Sequence, residues 1–361
     1  MKPFFPNCVN PSPMSQIELS IIVPLLNERD ELPEFLPSLQ AQQQVEFELL
    51  FVDGGSSDGS LEWLRQKRQI VLESEAGRAR QMNLGAEQAQ AEWLLFLHVD
   101  SRFEDLLTLR RGLDALQLTG SRNVAGHFPL KFRRSDASPS AGYYFYEWKA
   151  RLGRPETIHG DQGFLLSFRL YRQLEGFCED LPVMEDTDFA ERLRQVGQWL
   201  LLPDEISTSA RRFETEGLWQ RQLLGALIMC FRDIGFEQFF AAASDVYRQQ
   251  NKTEKLLVRP FFTLVRHLHA AMGWRNAWRI WWQGGCYVRR HAWQLTFAVD
   301  ARRAFRLGVP VGQGNARVTR WCEPVYDLLT DNLLGRAAAT LLLRAWFEMT
   351  DAWLLRKETE S

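Results

Sequence analysis

The chain has 361 residues, 45% of them hydrophobic and 24% charged, with a formal net charge of −2. This is ordinary globular composition. It excludes collagen-like, low-complexity and disordered chains, and near-neutrality argues against a free-standing polybasic binder, so no nucleic-acid partner is expected. The total averages two unlike parts: residues 1–216 carry 23 basic and 33 acidic side chains, whereas residues 217–361 carry 20 basic and 12 acidic ones and nine of the 13 Trp. That step sets the expected organisation, a disordered leader over 1–16, an α/β domain over 17–216 and a helical, Arg/Trp-rich extension over 217–361. The five Cys are scattered without a C-x-x-C pair, as in a reduced protein rather than a disulfide scaffold or zinc site. Met1 to Pro6 lacks the apolar core of a secretory signal, and no apolar run approaches the ~18 residues of a membrane span. A cytoplasmic location is expected, with peripheral attachment to the inner face of a membrane left open.

From Ile17 onward, short β-branched runs alternate with longer helical patterns, the signature of βαβ units and a mainly parallel sheet. Leu19 to Val23 reads as a buried strand ending at Pro24, and Asp30 to Gln42 as a helix. Phe47 to Val52 is the second strand, followed by the tight loop Gly54 to Gly59 and a helix from Ser60. A short strand over Gln69 to Leu72, a helix over Gly77 to Ala91 and an apolar strand over Trp93 to Leu97 come next. Phe103 to Leu118 reads as a helix, Ala125 to Phe132 as one strand, Tyr143 to Trp148 as an aromatic run and Gly163 to Phe168 as a strand. Asp186 to Val196 is a helix and Trp199 to Leu202 a strand.

Ligands of open parallel sheets sit beyond the carboxyl ends of the strands. Here three such ends carry acidic or small polar residues: Pro24 to Glu28, Asp53 to Ser56, and His98 to Ser101. Each alone reads equally well as a turn or a helix cap; together they predict a binding crevice.

The segments Ile22 to Glu28, Val52 to Gly59, Leu97 to Asp100 and Met184 to Asp188 resemble, in order and spacing, the family 2 glycosyltransferases of the GT-A fold. Gly77 to Asn83 and Gly160 to Gly163 are most similar to a bacterial branch of that family associated with radical-SAM and selenium-domain proteins. The resemblance covers about Ile17 to Arg232. It implies a GT-A sheet, a nucleotide-diphosphate sugar donor and a divalent metal, Mg²⁺ or Mn²⁺. By the same resemblance Asp53, with Gly54 and Ser56, would face the base or ribose, and Pro24, Asn27 and Glu28 would form the opposing wall. Asp100 matches the last carboxylate of the family's D-x-D element and would hold the metal, a hard cation that takes oxygen ligands; His98, in place of the first Asp, is a second metal candidate. Arg78 or Arg80, two residues apart on different helix faces, would reach the phosphates. Arg212, in Arg211-Arg212-Phe213, would lie near the diphosphate. Asp186 matches the family's base, and Glu185 and Asp161 are acceptor-side candidates. Glu185, Asp186 and Asp188 crowd carboxylates into one turn, where repulsion is expected to raise at least one pKa.

The chain departs from the pattern at Gly54, Leu26, His98 and Phe213, which leaves the nucleotide open. The expected function is inverting transfer of a sugar to an acceptor hydroxyl of unknown nature (glycan, lipid or small molecule). The alternatives are a sugar nucleotidyltransferase of related fold, although Pro24 to Asn27 lacks its glycine-rich loop, and an inactive nucleotide-sugar or membrane-surface binding module. In the basic part, residues 259–320 hold 11 Arg, no Lys and one acid, Asp300, interleaved with Trp274, Trp278 and Trp281 at i, i+4, i+7. The stripe fits a helical subdomain that packs it against Leu341 to Trp346, an anionic membrane surface or an acceptor platform.

Overall fold

A computed structural model describes residues 17–181, 183–248, 250 and 255–360. The expected leader and Pro182 fall outside them. The chain divides into two compact units, the first taking residues through Phe132 together with Lys149–Thr208, the second Arg133–Trp148 together with Ser209 onward.

The first unit is built on strands β1 (Leu19–Leu25), β2 (Phe47–Asp53), β3 (Ile70–Glu73), β4 (Trp93–Phe96), β5 (Arg102–Phe103), β6 (Val124–His127), β7 (Leu130–Arg133), β8 (Phe164–Ser167), β9 (Gln198–Leu201) and β10 (Ile206–Ser209). Its helices are α1 (Leu32–Gln40), α2 (Ser60–Gln66), α3 (Arg78–Gln88) and α4 (Thr108–Leu118); α5 (Ala141–Lys149) falls almost wholly in the second unit, and α6 (Phe168–Gln173) and α7 (Glu185–Val196) return to the first. A seven-stranded sheet runs in the order β3-β2-β1-β4-β8-β6-β9, and a three-stranded one in the order β5-β10-β7. β1, β2, β3 and β4 are mutually parallel, β8 is antiparallel to both β4 and β6, and β9 is parallel to β6. The mainly parallel, helix-flanked sheet expected from the sequence is therefore present.

β1 is buried along its whole length, as a central strand covered on both faces must be. Its polar residue, Ser20, is satisfied by donating to Glu48 Oε1 at 2.6 Å. The strand runs through Pro24, which stands opposite Val52, rather than ending there. α3 lies over β1 and β2 at unusually close range: a Cβ on Gly85 would fall 2.5 Å from Ile22 Cγ2 and 3.1 Å from Val52 Cγ2.

Two elements differ from the sequence reading. The single strand expected over Ala125 to Phe132 is two strands in different sheets, divided at Phe128-Pro129, where proline supplies no ladder N–H. The helix expected from Phe103 starts at Thr108, because Arg102 and Phe103 pair with Ser207 and Ile206.

The second unit continues with α8 (Arg211–Glu216), α9 (Leu218–Asp233), α10 (Glu237–Arg248), α11 (Arg259–Met272), α12 (Trp274–Arg290), α13 (Trp293–Arg306), α14 (Arg317–Thr330) and α15 (Leu333–Glu360). Phe231, Phe236, Phe239, Phe261, Phe262 and Phe347 fill its core. The aromatic run in α5 packs into this unit, Phe145 against Phe297 at 5.3 Å between ring centroids, with Tyr144 Oη donating to Val309 O. The Trp stripe on α12 is graded: Trp281 packs on Phe347 at 5.2 Å, the Arg344 guanidinium lies 5.9 Å from the Trp278 ring, and Trp274 is exposed.

Gly85→Val is expected to overpack the contact between α3 and β1 and cost about 1–3 kcal/mol. The urea midpoint of the variant checks this.

Candidate active site

Because β1, β2 and β4 are parallel, their carboxyl ends lie on one edge of the sheet. β8 runs the other way with Phe164 opposite Phe96, so the residues that precede β8, Gly160 to Gly163, reach the same edge. The topology thus gathers segments far apart in the chain.

The loops after β1 and β2 are fastened to each other. Ser56 Oγ accepts the Asn27 N–H at 2.9 Å, and Asn27 Oδ1 accepts the Ser57 N–H at 2.8 Å. Asp58 accepts the Arg29 N–H at 2.8 Å, and Ser60 Oγ accepts the Glu28 N–H at 3.2 Å. Asn27 adopts a left-handed conformation, φ 55°, one of the few residue types that tolerates it. Asp53 is 2% exposed. Its Oδ2 accepts the Gly55 and Ser56 N–H groups, both at 3.0 Å, while Oδ1 is buried with no hydrogen-bond partner among the described residues. One oxygen of the carboxylate thus serves the turn, and the other is left without a partner among the described residues. Behind this wall, Gln81 Nε2 donates to Leu25 O at 2.8 Å and Val52 O at 2.7 Å, closing the ends of β1 and β2 from below. Gly54 sits against that amide, where a Cβ would be 3.0 Å from Gln81 Nε2. Pro24 is buried in β1 itself.

Next to this wall is a concentration of acids. Asp186 lies in the first turn of α7, and its Oδ2 accepts the Gly160 N–H at 2.7 Å. A Cβ on Gly160 would meet Asp186 Oδ2 at 3.2 Å and His98 Nε2 at 3.3 Å, so both side chains close on that glycine. Asp100 Oδ2 accepts from Thr208 Oγ1 at 3.1 Å. Burial first, then the charges of Asp186 and Asp100, push the Asp161 carboxyl up to about 7, and its Oδ1 is buried without a hydrogen-bond partner among the described residues. Burial also raises the pKa of Glu185, partly opposed by Arg78, whose Nη1 lies 3.3 Å from Glu185 Oε1. Asp186 goes the other way. Burial acts to raise it, but the charge of His159, the Gly160 N–H, Arg78 and the Thr187 N–H together hold it below the usual carboxylate range. One carboxylate of the turn, Glu185, is thus raised, chiefly by burial with the charge of Asp186 adding to it, whereas the expected base is not.

A divalent cation fits this cluster on its donor chemistry. Asp161 has an unpartnered buried oxygen, and neighbouring acids hinder its ionisation, a conflict that a cation relieves. No group of three or more His, Cys, Asp or Glu among the described residues is placed to hold a metal alone. The shell of a cation here would need oxygens from a bound phosphate, as is usual for Mg²⁺.

The remaining expected residues are elsewhere. Arg80 is turned to the surface and paired with Glu75 and Glu179. Arg212 is exposed on α8 of the second unit. The sequence reading passed over Gln81, Thr208 and His159. His159 directly precedes the quoted Gly160-Asp161-Gln162-Gly163 segment, and its Nδ1 lies 3.3 Å from Thr187 Oγ1.

The folded chain keeps the Asp161 proton in a range where the unfolded chain, with its ordinary value of 3.8, has lost it. This contribution to stability accordingly declines as pH rises from about 4 to about 7. In buffer containing a chelator, the urea midpoint is expected to fall between about pH 5 and about pH 8, and Asp161→Asn to flatten that fall.

Residues 20–174 match the family model described as "Glycosyl transferase family 2". Among curated proteins, the "PGL/p-HBAD biosynthesis glycosyltransferase" of Mycobacterium bovis is 37% identical over 99 residues, 26% of this chain and 39% of that protein. "Glycosyltransferase AglE" of Haloferax volcanii is 31% identical over 123 residues, 32% of this chain and 40% of that one. The chain thus spans about two fifths of the length of these relatives. Among solved structures, a mannosyltransferase from Pyrobaculum calidifontis in complex with GDP-Man and Mn²⁺ is 18% identical, covering 97% of this chain and 88% of that one at a TM-score of 0.47. Staphylococcus aureus TarS 1–349 in complex with UDP-GlcNAc is 16% identical, covering 81% and 92% at a TM-score of 0.44. Both are loose likenesses of shape. The sequence match is the firmer one, and it likens residues 20–174, on a mainly parallel, helix-flanked sheet, to glycosyl transferase family 2.

Proposed function

We propose that this chain transfers a glycosyl group from a nucleotide-diphosphate sugar to an acceptor hydroxyl, with inversion at the anomeric carbon. The observation that carries the reading is the convergence of Asp100, Asp161 and Asp186 on the sheet edge that also bears the Asp53 wall. In this reading the wall of Pro24, Asn27, Glu28, Asp53, Gly54 and Ser56 receives the nucleoside, with the free oxygen of Asp53 accepting from ribose or base.

Asp186 takes the acceptor's proton. A carboxylate held below its usual pKa is ionised at neutral pH, and the Gly160 N–H fixes one oxygen, leaving the group oriented as the acceptor oxygen attacks. The new bond forms between the acceptor oxygen and the anomeric carbon, the bond from that carbon to the phosphate oxygen breaks, and the nucleotide diphosphate leaves with the electron pair. Asp161 and Glu185 border the acceptor side. Asp100, with His98, would hold Mg²⁺ or Mn²⁺, which when bound neutralises charge on the departing diphosphate. Arg78 is the better placed of its pair to face phosphate, since Arg80 is engaged with two surface acids.

A thermal-shift panel of nucleotide sugars, with and without Mn²⁺, tests the donor. One donor is expected to raise the melting temperature in a Mn²⁺-dependent manner that Asp100→Asn removes. Asp186→Asn is expected to keep that shift while lowering kcat by about 10²–10⁴-fold. If no nucleotide sugar stabilises the protein under either condition, the reading is wrong.

A further inference from the structure

α14 is inside out. Thr319 is its one buried residue, whereas Trp321, Val325, Leu328 and Leu329 are exposed. Trp321, Val325 and Leu328 fall at i, i+4 and i+7, one continuous stripe, and Arg317 precedes Trp321 by one turn on the same face. The helix is locked in this orientation from its buried side. Asp300 accepts the Thr319 N–H at 2.8 Å and Thr319 Oγ1 at 2.9 Å, and Arg289 pairs with Asp327 at 3.1 Å.

The apolar face continues around the corner into α15. Leu328 is 83% exposed and Leu334 is 81% exposed, with Leu329 and Leu333 between them also open. Leu341, Leu342 and Met349 extend it along α15, whose opposite stripe, Thr340, Phe347 and Leu354, is buried. α12 comes so close to that buried stripe that a Cβ on Gly285 would lie 2.6 Å from Thr340 Cα. α15 is thus apolar on both sides with only one side covered. An exposed apolar tract of this extent marks an interaction surface.

Charge identifies the occupant. Arg302, Arg303, Arg306, Arg317 and Arg320 are exposed and form no ion pair among the described residues. By contrast, the acids of the α14–α15 corner, Asp327 and Asp331, are already paired with Arg289 and Arg336. A second copy of this chain would set the same positive charge against itself. An anionic bilayer supplies both apolar depth and phosphate.

We propose that the outer face of α14 and α15 lies on an anionic lipid surface, with Leu328, Leu329, Leu333 and Leu334 inserted below the headgroups and Trp321 at their level. The free arginines contact lipid phosphate. No helix among the described residues is long and apolar enough to cross a membrane, so the contact is with one leaflet. The surface is not the Trp stripe of α12, part of which is packed inside.

Co-sedimentation of the full chain with vesicles, in the absence of any sugar donor, tests this. Binding is expected to an equal mixture of phosphatidylcholine and phosphatidylglycerol, at least about tenfold tighter than to phosphatidylcholine alone, and to weaken with salt. The pair Leu328→Glu and Leu334→Glu, at open positions, is expected to abolish binding while leaving the melting temperature within a few degrees. Arg302→Gln with Arg303→Gln is expected to lower affinity for the mixed vesicles about 25-fold, about fivefold for each charge. Equal binding to neutral vesicles, no binding at low salt, or a concentration-dependent dimer that the Leu→Glu pair dissolves without any lipid binding would each overturn the proposal.

Discussion

The register of one antiparallel strand decides what the first unit can do. Were β8 parallel to β4, Gly160 and Asp161 would sit at the far edge of the sheet. With Phe96 opposite Phe164 they sit among the carboxyl ends of β1, β2 and β4 instead. From there the Gly160 N–H can reach Asp186, which fixes the start of α7, and Asp161 is forced into the field of Asp100. A parallel sheet alone offers a crevice; the reversed strand adds a second wall of acids to it.

Those acids are held together at an electrostatic cost. Burying like charges without a counter-ion shifts protons onto them, as Asp161 and Glu185 display, unless local donors oppose it, as His159, Gly160 and Arg78 do at Asp186. The cluster is therefore differentiated: Asp186 is kept ionised, whereas Asp161 and Glu185 are inclined to hold protons. Strained electrostatics of this kind concentrate where ligands bind, which is also where a fold tolerates departures from best stability.

The parallel strands and their ends were legible in the sequence because buried strands read as unbroken apolar runs, and the turn residues at Asn27, Asp53 and Asp58 punctuate them. The division at Pro129 was less so, since two strands with no polar interruption read as one. The sign of the Asp186 shift was not legible either, because it depends on His159 and Gly160, 27 and 26 residues away, which only the β8 register brings close. In the basic unit, periodicity located the Trp274, Trp278 and Trp281 stripe but could not say which way it faces. α12 turns Trp281 inward, while α14, with an equally regular stripe, turns Trp321 out.

Gln81 joins matters that are otherwise described apart. Its amide nitrogen gives both its hydrogens to main-chain carbonyls of two neighbouring strands, Leu25 and Val52. One turn earlier in the same helix, Arg78 reaches across to Glu185, the residue before Asp186. The strand ends, α3 and the first turn of α7 are thus linked as a mechanical train. Under the proposed function, a ligand that tightened the strand-end loops would pull on the helix that steadies the acid turn, so that recognition at one wall would become stiffness at the other.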